Sequence, residues 1–247
     1  MEEKYEGKVI IEKVNQAKYL GFIISNQSNN QPNIREQKIK SIGTIRKILD
    51  RLQCLNLQQY YFECAIILKN VMLRTSILYA SETYYNLTET ELRQIERNEE
   101  SFLRQIFATP RSCPIVQLYL ETGQYPARFE IIRLKLLFLK YILSQNENTT
   151  IYKFLQLQLE KPTIKGEWAS SCLADLHRLK IKLSLNEIKV MKIIKYKSLL
   201  KKKIREESLS YLLCIRKFKG HEIEYLSLQM SDYLLPNTFI TKKEINN

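Results

Sequence analysis

Residues 34–52, IREQKIKSIGTIRKILDRL, decide the fold class, because their apolar side chains recur at helical spacing rather than at the alternating spacing of a strand. The apolar residues, separated mostly by three or four positions, are Ile39, Ile42, Ile45, Leu49 and Leu52. This spacing predicts that they share the buried face of an amphipathic helix. Cationic residues fill the other positions, so the outer side of the helix is predicted to be basic.

The next segments also have helical patterns. Residues 57–80 are apolar on nearly every side, which predicts a buried central helix. Thr88 with Glu91, and Ser184 with Glu187, have the spacing of a capping box, in which each side chain bonds to the backbone N–H of the other residue. We therefore expect a helix to begin at each of these two pairs.

Between the two capping boxes, Pro126 suits the first turn of a helix that continues to about Leu143. The polar run SQNENTT at 144–150 predicts a surface loop, and it is the best candidate for a soft boundary in the chain. A further helix is expected over residues 151–159. Trp168, Leu173 and Leu176 are expected to anchor the following short helix to the core.

The N-terminal region has the clearest strand pattern. β-Branched and aromatic residues fill KVIIEKV at 8–14 and QAKYLGFIIS at 16–25, with a polar break at Asn15 and Gln16. These stretches predict a β-hairpin, followed by a polar loop at 26–33. Only six glycines and six prolines occur in 247 residues, and the expected class is mainly α: an N-terminal hairpin, a multi-helix bundle and a basic helical C-terminal region.

The formal net charge of +13 is concentrated in one place. Residues 176–220 contain 14 Lys and Arg against 3 Glu, a net charge of +11. A localised basic block indicates a polyanionic partner, because phosphate binding releases condensed counterions; the alternative is a solvated lysine-rich surface. The candidate nucleic-acid-binding residues in this block are Lys197, Lys201, Lys202, Lys203 and Arg205.

The cysteines indicate an intracellular protein, in the nucleus or the cytoplasm. They are odd in number, widely spaced and without a C-x-x-C pair: Cys54, Cys64, Cys113, Cys172 and Cys214. Cys172 and His177 come nearest to a metal-ligand pair, but no further ligand lies close in sequence, so no metal or cofactor is expected. The N-terminal MEEKYEGK is unlike a secretory signal, and charged residues interrupt both of the most apolar stretches, so no membrane partner is expected.

Catalysis is not expected from these residues. The three aspartates, each alone in its segment, are Asp50, Asp175 and Asp232. Two-metal phosphoryl transfer needs carboxylates that hold two ions about 4 Å apart. The acidic run Glu96, Glu99 and Glu100 is predicted to form a solvated helix face rather than a metal site.

Several short motifs occur in the order found in LINE-type (non-LTR) retrotransposon reverse transcriptases. KYLG at 18–21 resembles the motif that closes the palm of those enzymes, a hairpin that grips the primer end. Further similar segments follow: SILYASET at 76–83, EESFLRQI at 99–106, LYLETG at 118–123, KGHEIEY at 219–225 and DYLLP at 232–236. The resemblance extends from Lys18 to about Pro236.

In that family the aspartate-bearing palm precedes this region, and a Cys/His cluster follows it. The resemblance therefore implies a palm-end hairpin and loop at 1–33, a helical thumb-like domain at 34–145 and a basic helical connector at 146–247. It implies a chain that binds RNA or DNA without polymerising it, with a catalytic palm supplied in cis or in trans. The alternative is a structural relic of a retrotransposon or a helical interaction module.

The resemblance also implies contacts for particular residues. The helix from Ile34 is similar to the first thumb helix, whose basic side would follow the minor groove and phosphates of a template–primer duplex without reading bases. The residues implicated on this helix and in the hairpin are Arg35, Lys38, Arg46, Lys47, Lys18, Tyr19 and Gly21.

Overall fold

The computed structural model describes residues 15–19, 21–25, 30–55, 60–160 and 167–218. The predicted class is confirmed: a two-stranded antiparallel hairpin precedes a bundle of helices. The strands are β1 (Gln16–Tyr19) and β2 (Phe22–Ser25). The helices are α1 (Gln31–Cys54), α2 (Tyr61–Leu68), α3 (Arg74–Ile77), α4 (Glu89–Ile106), α5 (Ile115–Glu121), α6 (Ala127–Leu143), α7 (Thr150–Glu160), α8 (Trp168–Arg178), α9 (Leu185–Val190) and α10 (Ile193–Phe218).

The hairpin turns at a different place from the predicted one. Tyr19 pairs with Phe22, and Gly21 in the turn has φ +83°, a conformation that glycine adopts without strain. Both strands therefore come from the stretch 16–25. Residues 8–14, which we expected to form the first strand, lie outside the described residues. Strand β1 begins at Gln16, so the polar residues Asn15 and Gln16 lie at the start of this strand and not in the turn of the hairpin.

Helix α1 begins at Gln31, earlier than predicted, with Pro32 in its first turn. Its buried face is also displaced from the predicted one. Ile45 and Leu52 are buried as expected, but Ile39 is 71% exposed and Ile42 is 42% exposed. The buried residues of α1 are Asn33, Ile34, Gln37, Ser41, Ile45, Ile48 and Leu52.

Polar side chains occupy part of that face because each finds a partner across the bundle. Gln37 donates from Nε2 to the Tyr79 carbonyl at 2.5 Å, and its Oε1 accepts from the Tyr84 hydroxyl at 2.8 Å. Ser41 is bonded by Asn98 of α4. A buried polar group costs little free energy once it is hydrogen-bonded. Gln37 and Ser41 can therefore occupy the buried face of α1, where the spacing had predicted Ile39 and Ile42.

The predicted buried helix at 57–80 is helical from residue 61 to 77, with a π-helical turn at Lys69–Leu73 between α2 and α3. The prediction that it is buried on all sides was wrong. Leu73, Ile77 and Leu78 are buried, whereas Ile67 and Val71 are exposed on the opposite side. This helix therefore lies at the edge of the bundle, with one face in solvent.

Both capping boxes are present as predicted. The Thr88 hydroxyl accepts from the Glu91 N–H at the start of α4, and Ser184 with Glu187 makes the same pair at the start of α9. Pro126 directly precedes α6, as its position in the sequence indicated.

Helix α6 connects the two largest hydrophobic clusters. Ala127 and Ile131 pack with residues of α1 to α4, whereas Phe129 and Leu136 pack with residues of α7 to α10. In the second cluster Leu176 is buried and Trp168 is half-buried, but Leu173 lies at the surface. The loop at 144–149 is largely exposed, and the predicted division of the chain near residue 145 stays a prediction.

Candidate nucleic-acid interface

Six cationic side chains of α1 are exposed, and they include the four that the sequence implicated: Arg35, Lys38, Arg46 and Lys47. In the described part of the chain, none of the four forms an ion pair. Arg35 and Arg46 are eleven residues apart, about three helical turns, so they lie on the same side of the helix, roughly 16 Å from each other along its axis. These four side chains define the basic α1 face.

The same face carries apolar residues that the periodicity had placed in the core. Ile39 and Ile42 lie between Arg35 and Arg46 along the helix. A Cβ atom added at Gly43 would meet nothing within 4 Å. The basic α1 face therefore has an apolar centre with cations at its margins.

Lys18 of the hairpin forms an ion pair, unlike the four cations of the basic α1 face. Its Nζ lies 2.5 Å from Oε1 of Glu36, and Lys40 Nζ lies 2.9 Å from the same oxygen. The hydrogen bonds from Lys18 and from Lys40 hold the pKa of Glu36 below its usual value. The three side chains carry a net charge of +1, so Lys18 and Lys40 together offer less charge to a partner than their number suggests.

The other two hairpin candidates occupy the turn and the strand end beside it. Gly21 forms the turn, and a Cβ there would lie 3.5 Å from the Tyr79 ring. Tyr19 is the last residue of β1. Asn33 of α1 accepts from the Ile23 N–H at 2.7 Å and donates to its carbonyl at 2.8 Å, which fixes the hairpin to the start of α1.

Helix α10 carries the second group of candidates. Lys197, Lys201 and Lys202 are exposed, together with Lys192 just before the helix and Lys195 in its first turn. The buried side of α10, which includes Tyr196, Leu200 and Ile204, packs in the cluster around α6. Its N-terminal half is therefore amphipathic with a cationic outer side, as the sequence indicated.

Two of the predicted α10 residues are less accessible to a nucleic-acid partner. Lys203 is half-buried, and its Nζ lies 2.8 Å from Oε2 of Glu206. Arg205 is also half-buried, and desolvation lowers its pKa from the ordinary arginine value. The exposed cations of this basic α10 face are therefore Lys192, Lys195, Lys197, Lys201 and Lys202.

The acidic run on α4 is not a solvated face, and this expectation was wrong. Glu96 and Glu99 are buried and paired with cations from other helices. Arg128 of α6 bonds both oxygens of Glu96, at 2.6 and 2.8 Å, and Lys69 lies 2.7 Å from Glu99. Because these carboxylates are neutralised internally, they do not offset the cations at the surface.

The Glu99 site is the most deeply buried of these groups. Burial would raise the pKa of Glu99, but Arg74 and Lys69 outweigh it and hold the pKa below the usual value. Burial, with the charge of Arg74, lowers the pKa of Lys69 to about 8. Arg74 also donates to Glu99, at 2.7 Å, so one carboxylate serves two cations.

No set of three His, Cys, Asp or Glu side chains within the described ranges is arranged to hold a metal ion. Asp50 lies on α1, and Asp175 lies on α8, where it pairs with Lys135 at 2.5 Å; Asp232 lies outside the described residues. None of the helices described is both long and apolar enough to cross a bilayer.

Comparison with known proteins gives no relatives: no family model, no curated protein and no solved structure matches this chain.

Proposed function

We propose that the chain binds the phosphate backbone of a nucleic-acid duplex through the basic α1 face, with the basic α10 face as a second contact. The observation that carries this proposal is that Arg35, Lys38, Arg46 and Lys47 are exposed around Ile39 and Ile42, with no carboxylate partner among the described residues. The two exposed isoleucines add apolar contact area to this cationic surface.

For a helix that docks in the minor groove, the arrangement fits an A-form-like duplex better than B-form DNA. An α-helix with side chains is about 10–12 Å across, and the minor groove of B-DNA is about 6 Å wide. The minor groove of A-form helices is wide and shallow and displays sugars. Ile39 and Ile42 would lie over the sugars, while the cations at the margins reach the phosphates on either side. Such contacts position the protein without reading sequence.

The resemblance to LINE-type reverse transcriptases leads to the same proposal, a thumb and connector that hold a template–primer duplex. In that setting a catalytic palm, in the same or another chain, is the partner. No nucleotide incorporation is expected from these 247 residues alone, because their aspartates are not paired. The alternative, a helical interaction module or relic with no nucleic-acid task, predicts no duplex affinity beyond that of any basic surface.

Fluorescence anisotropy with a labelled RNA–DNA hybrid and a DNA duplex of the same sequence tests the proposal. We expect about tenfold tighter binding of the hybrid, and we expect Ile39→Ala with Ile42→Ala to remove most of that preference. Phe154→Ala on α7, an equally exposed apolar residue, is the control. Equal binding of both duplexes by the wild type would contradict the A-form preference, and no binding near about 100 µM protein at physiological salt would overturn the proposal.

A further inference from the structure

The solvent side of residues 60–79, which are helical from 61 to 77, carries a nonpolar stripe. Tyr60 is 56% exposed, Ile67 59%, Val71 62% and Tyr79 47%. These residues, with Thr75, recur at intervals of four or seven. Ile67, Val71 and Thr75 lie on α2, the π-helical turn and α3, whereas Tyr60 directly precedes α2 and Tyr79 lies in the turn after α3. Single exposed apolar residues are ordinary, but a contiguous stripe marks an interaction surface.

The centre of the stripe carries no charge. Of the charged residues between 60 and 79, Lys69 is buried and Arg74 is half-buried, and the half-buried Glu63 lies one turn before Ile67. The Thr75 hydroxyl donates to the Val71 carbonyl at 2.8 Å, so this polar group is already satisfied within the helix. A partner can therefore cover Ile67 and Val71, at the centre of the stripe, without desolvating a charge.

We propose that this stripe is the contact surface between two copies of the chain, packed as an antiparallel helix pair around a two-fold axis near residue 69. The spacing is self-complementary: Ile67 of one copy faces Val71 of the other, and Tyr60 faces the region of Tyr79. Asn70 is exposed near the axis, and its amide can donate to and accept from its counterpart. An interface in which one patch pairs with itself is the usual form of a two-fold dimer.

The charge of the chain favours a second copy on this face. With a net charge of +13, two copies repel each other at most surfaces, such as the basic α1 and α10 faces. The stripe brings no like charges together. It offers on the order of 500 Å² per copy, so that about 1,000 Å² would be buried, near the lower limit for a specific interface. The dimer should accordingly be weak, with a dissociation constant in the micromolar range.

Sedimentation velocity from about 1 to 200 µM protein, at moderate salt, measures this equilibrium. The wild type should sediment increasingly as a dimer, and Ile67→Lys or Val71→Glu should each raise the dissociation constant at least tenfold, because each opposes a charge to an aliphatic side chain. Leu157→Lys, at an equally exposed position on α7, is the matched control and should dimerise like the wild type. Circular dichroism should be unchanged in all variants.

A mixture of the two charged variants, Ile67→Lys and Val71→Glu, tests the antiparallel pairing itself. In the mixed dimer the lysine introduced at position 67 of one copy would face the glutamate introduced at position 71 of the other. The remaining contact would be Ile67 against Val71, as in the wild type. The mixture should therefore dimerise more tightly than either variant alone.

Three outcomes would each overturn the proposal. The first is a wild type that stays monomeric at about 200 µM, the upper end of the range. The second is dimerisation that survives both single substitutions. The third is a mixture of the two charged variants that dimerises no more tightly than its components.

Discussion

Lys69 Nζ lies 2.7 Å from Oε1 of Glu99, and neither side chain has any exposed surface. The π-helical turn begins at Lys69, which lies on the buried side of the edge helix, opposite the exposed Ile67 and Val71. Gln124 also accepts from Lys69, at 3.0 Å. A buried lysine is stable there only because a carboxylate on α4 lies within reach.

The two members of this pair should differ in their effect on stability. Glu99→Gln leaves both Lys69 and Arg74 buried without a carboxylate, and should cost about 3–5 kcal/mol. Lys69→Met keeps the Arg74–Glu99 pair and fills the space with an apolar side chain, so it should cost clearly less. Urea unfolding of the two variants measures which substitution lowers the free energy of unfolding more. Equal costs, or a larger cost for Lys69→Met, would contradict the assigned pairing.

The lowered pKa of Lys69 predicts a pH dependence. The folded state releases this proton near pH 8, whereas an ordinary lysine holds it to about 10.5. Between these values the unfolded state binds more protons, so the contribution of Lys69 to stability rises with pH.

The difference in unfolding free energy between the wild type and Lys69→Met isolates this effect. It should move in favour of the wild type by up to about 1.4 kcal/mol per pH unit between about pH 8 and 10. Tyrosine ionisation affects both proteins alike and cancels. A difference that stays flat across this range would show that Lys69 keeps an ordinary pKa.

Asn33 should control the attachment of the hairpin. Asn33→Ala removes both bonds to the Ile23 backbone and leaves partly buried groups unpaired, at a cost of about 1–3 kcal/mol. Amide exchange in β2 should become roughly tenfold faster, because a lone two-stranded hairpin is marginal in water. Asn98→Ala, which removes a different bond to α1, is the control. Unchanged exchange at Ile23 would mean that other contacts hold the hairpin.

The α10 lysines should differ in their contribution to nucleic-acid binding. Lys201→Gln with Lys202→Gln should flatten the dependence of log affinity on log salt by about 1.8 units on duplex DNA, at about 0.9 per lost phosphate contact. Lys203→Gln should change it little, because Glu206 already pairs with Lys203. If Lys203→Gln has the same effect as the neighbouring substitutions, the pair with Glu206 does not persist in solution.

Local sequence patterns predicted much of the fold. The capping boxes at Thr88 and Ser184, and the helix after Pro126, depend on residues within one helical turn and could be read directly. Exposed lysines such as Lys201 followed from the same reasoning, since several adjacent cations cannot all face inward.

The errors on α1 and α4 share one physical cause, which is the burial of polar groups by partners that are distant in sequence. Gln37 is buried because Tyr84 bonds it, and Glu99 because Lys69 and Arg74 pair with it. A hydrophobic pattern treats both residues as exposed. The hydrophobic pattern therefore assigned Ile39 to the buried face of α1, and the apolar centre of the basic α1 face was not predicted.

The salt dependence of duplex binding by a variant of the basic α1 face tests the central proposal most directly. Arg35, Lys38, Arg46 and Lys47 are all replaced with Gln, and affinity for an RNA–DNA duplex is measured over a range of salt concentrations. We predict weaker binding to all sequences and a slope flatter by roughly 3 units, at most about 0.9 per contact. The paired-cation control, Lys40→Gln with Lys203→Gln, should change the slope by less than about 1 unit. Unchanged affinity and slope in the fourfold variant, with an unchanged circular dichroism spectrum, would contradict the account.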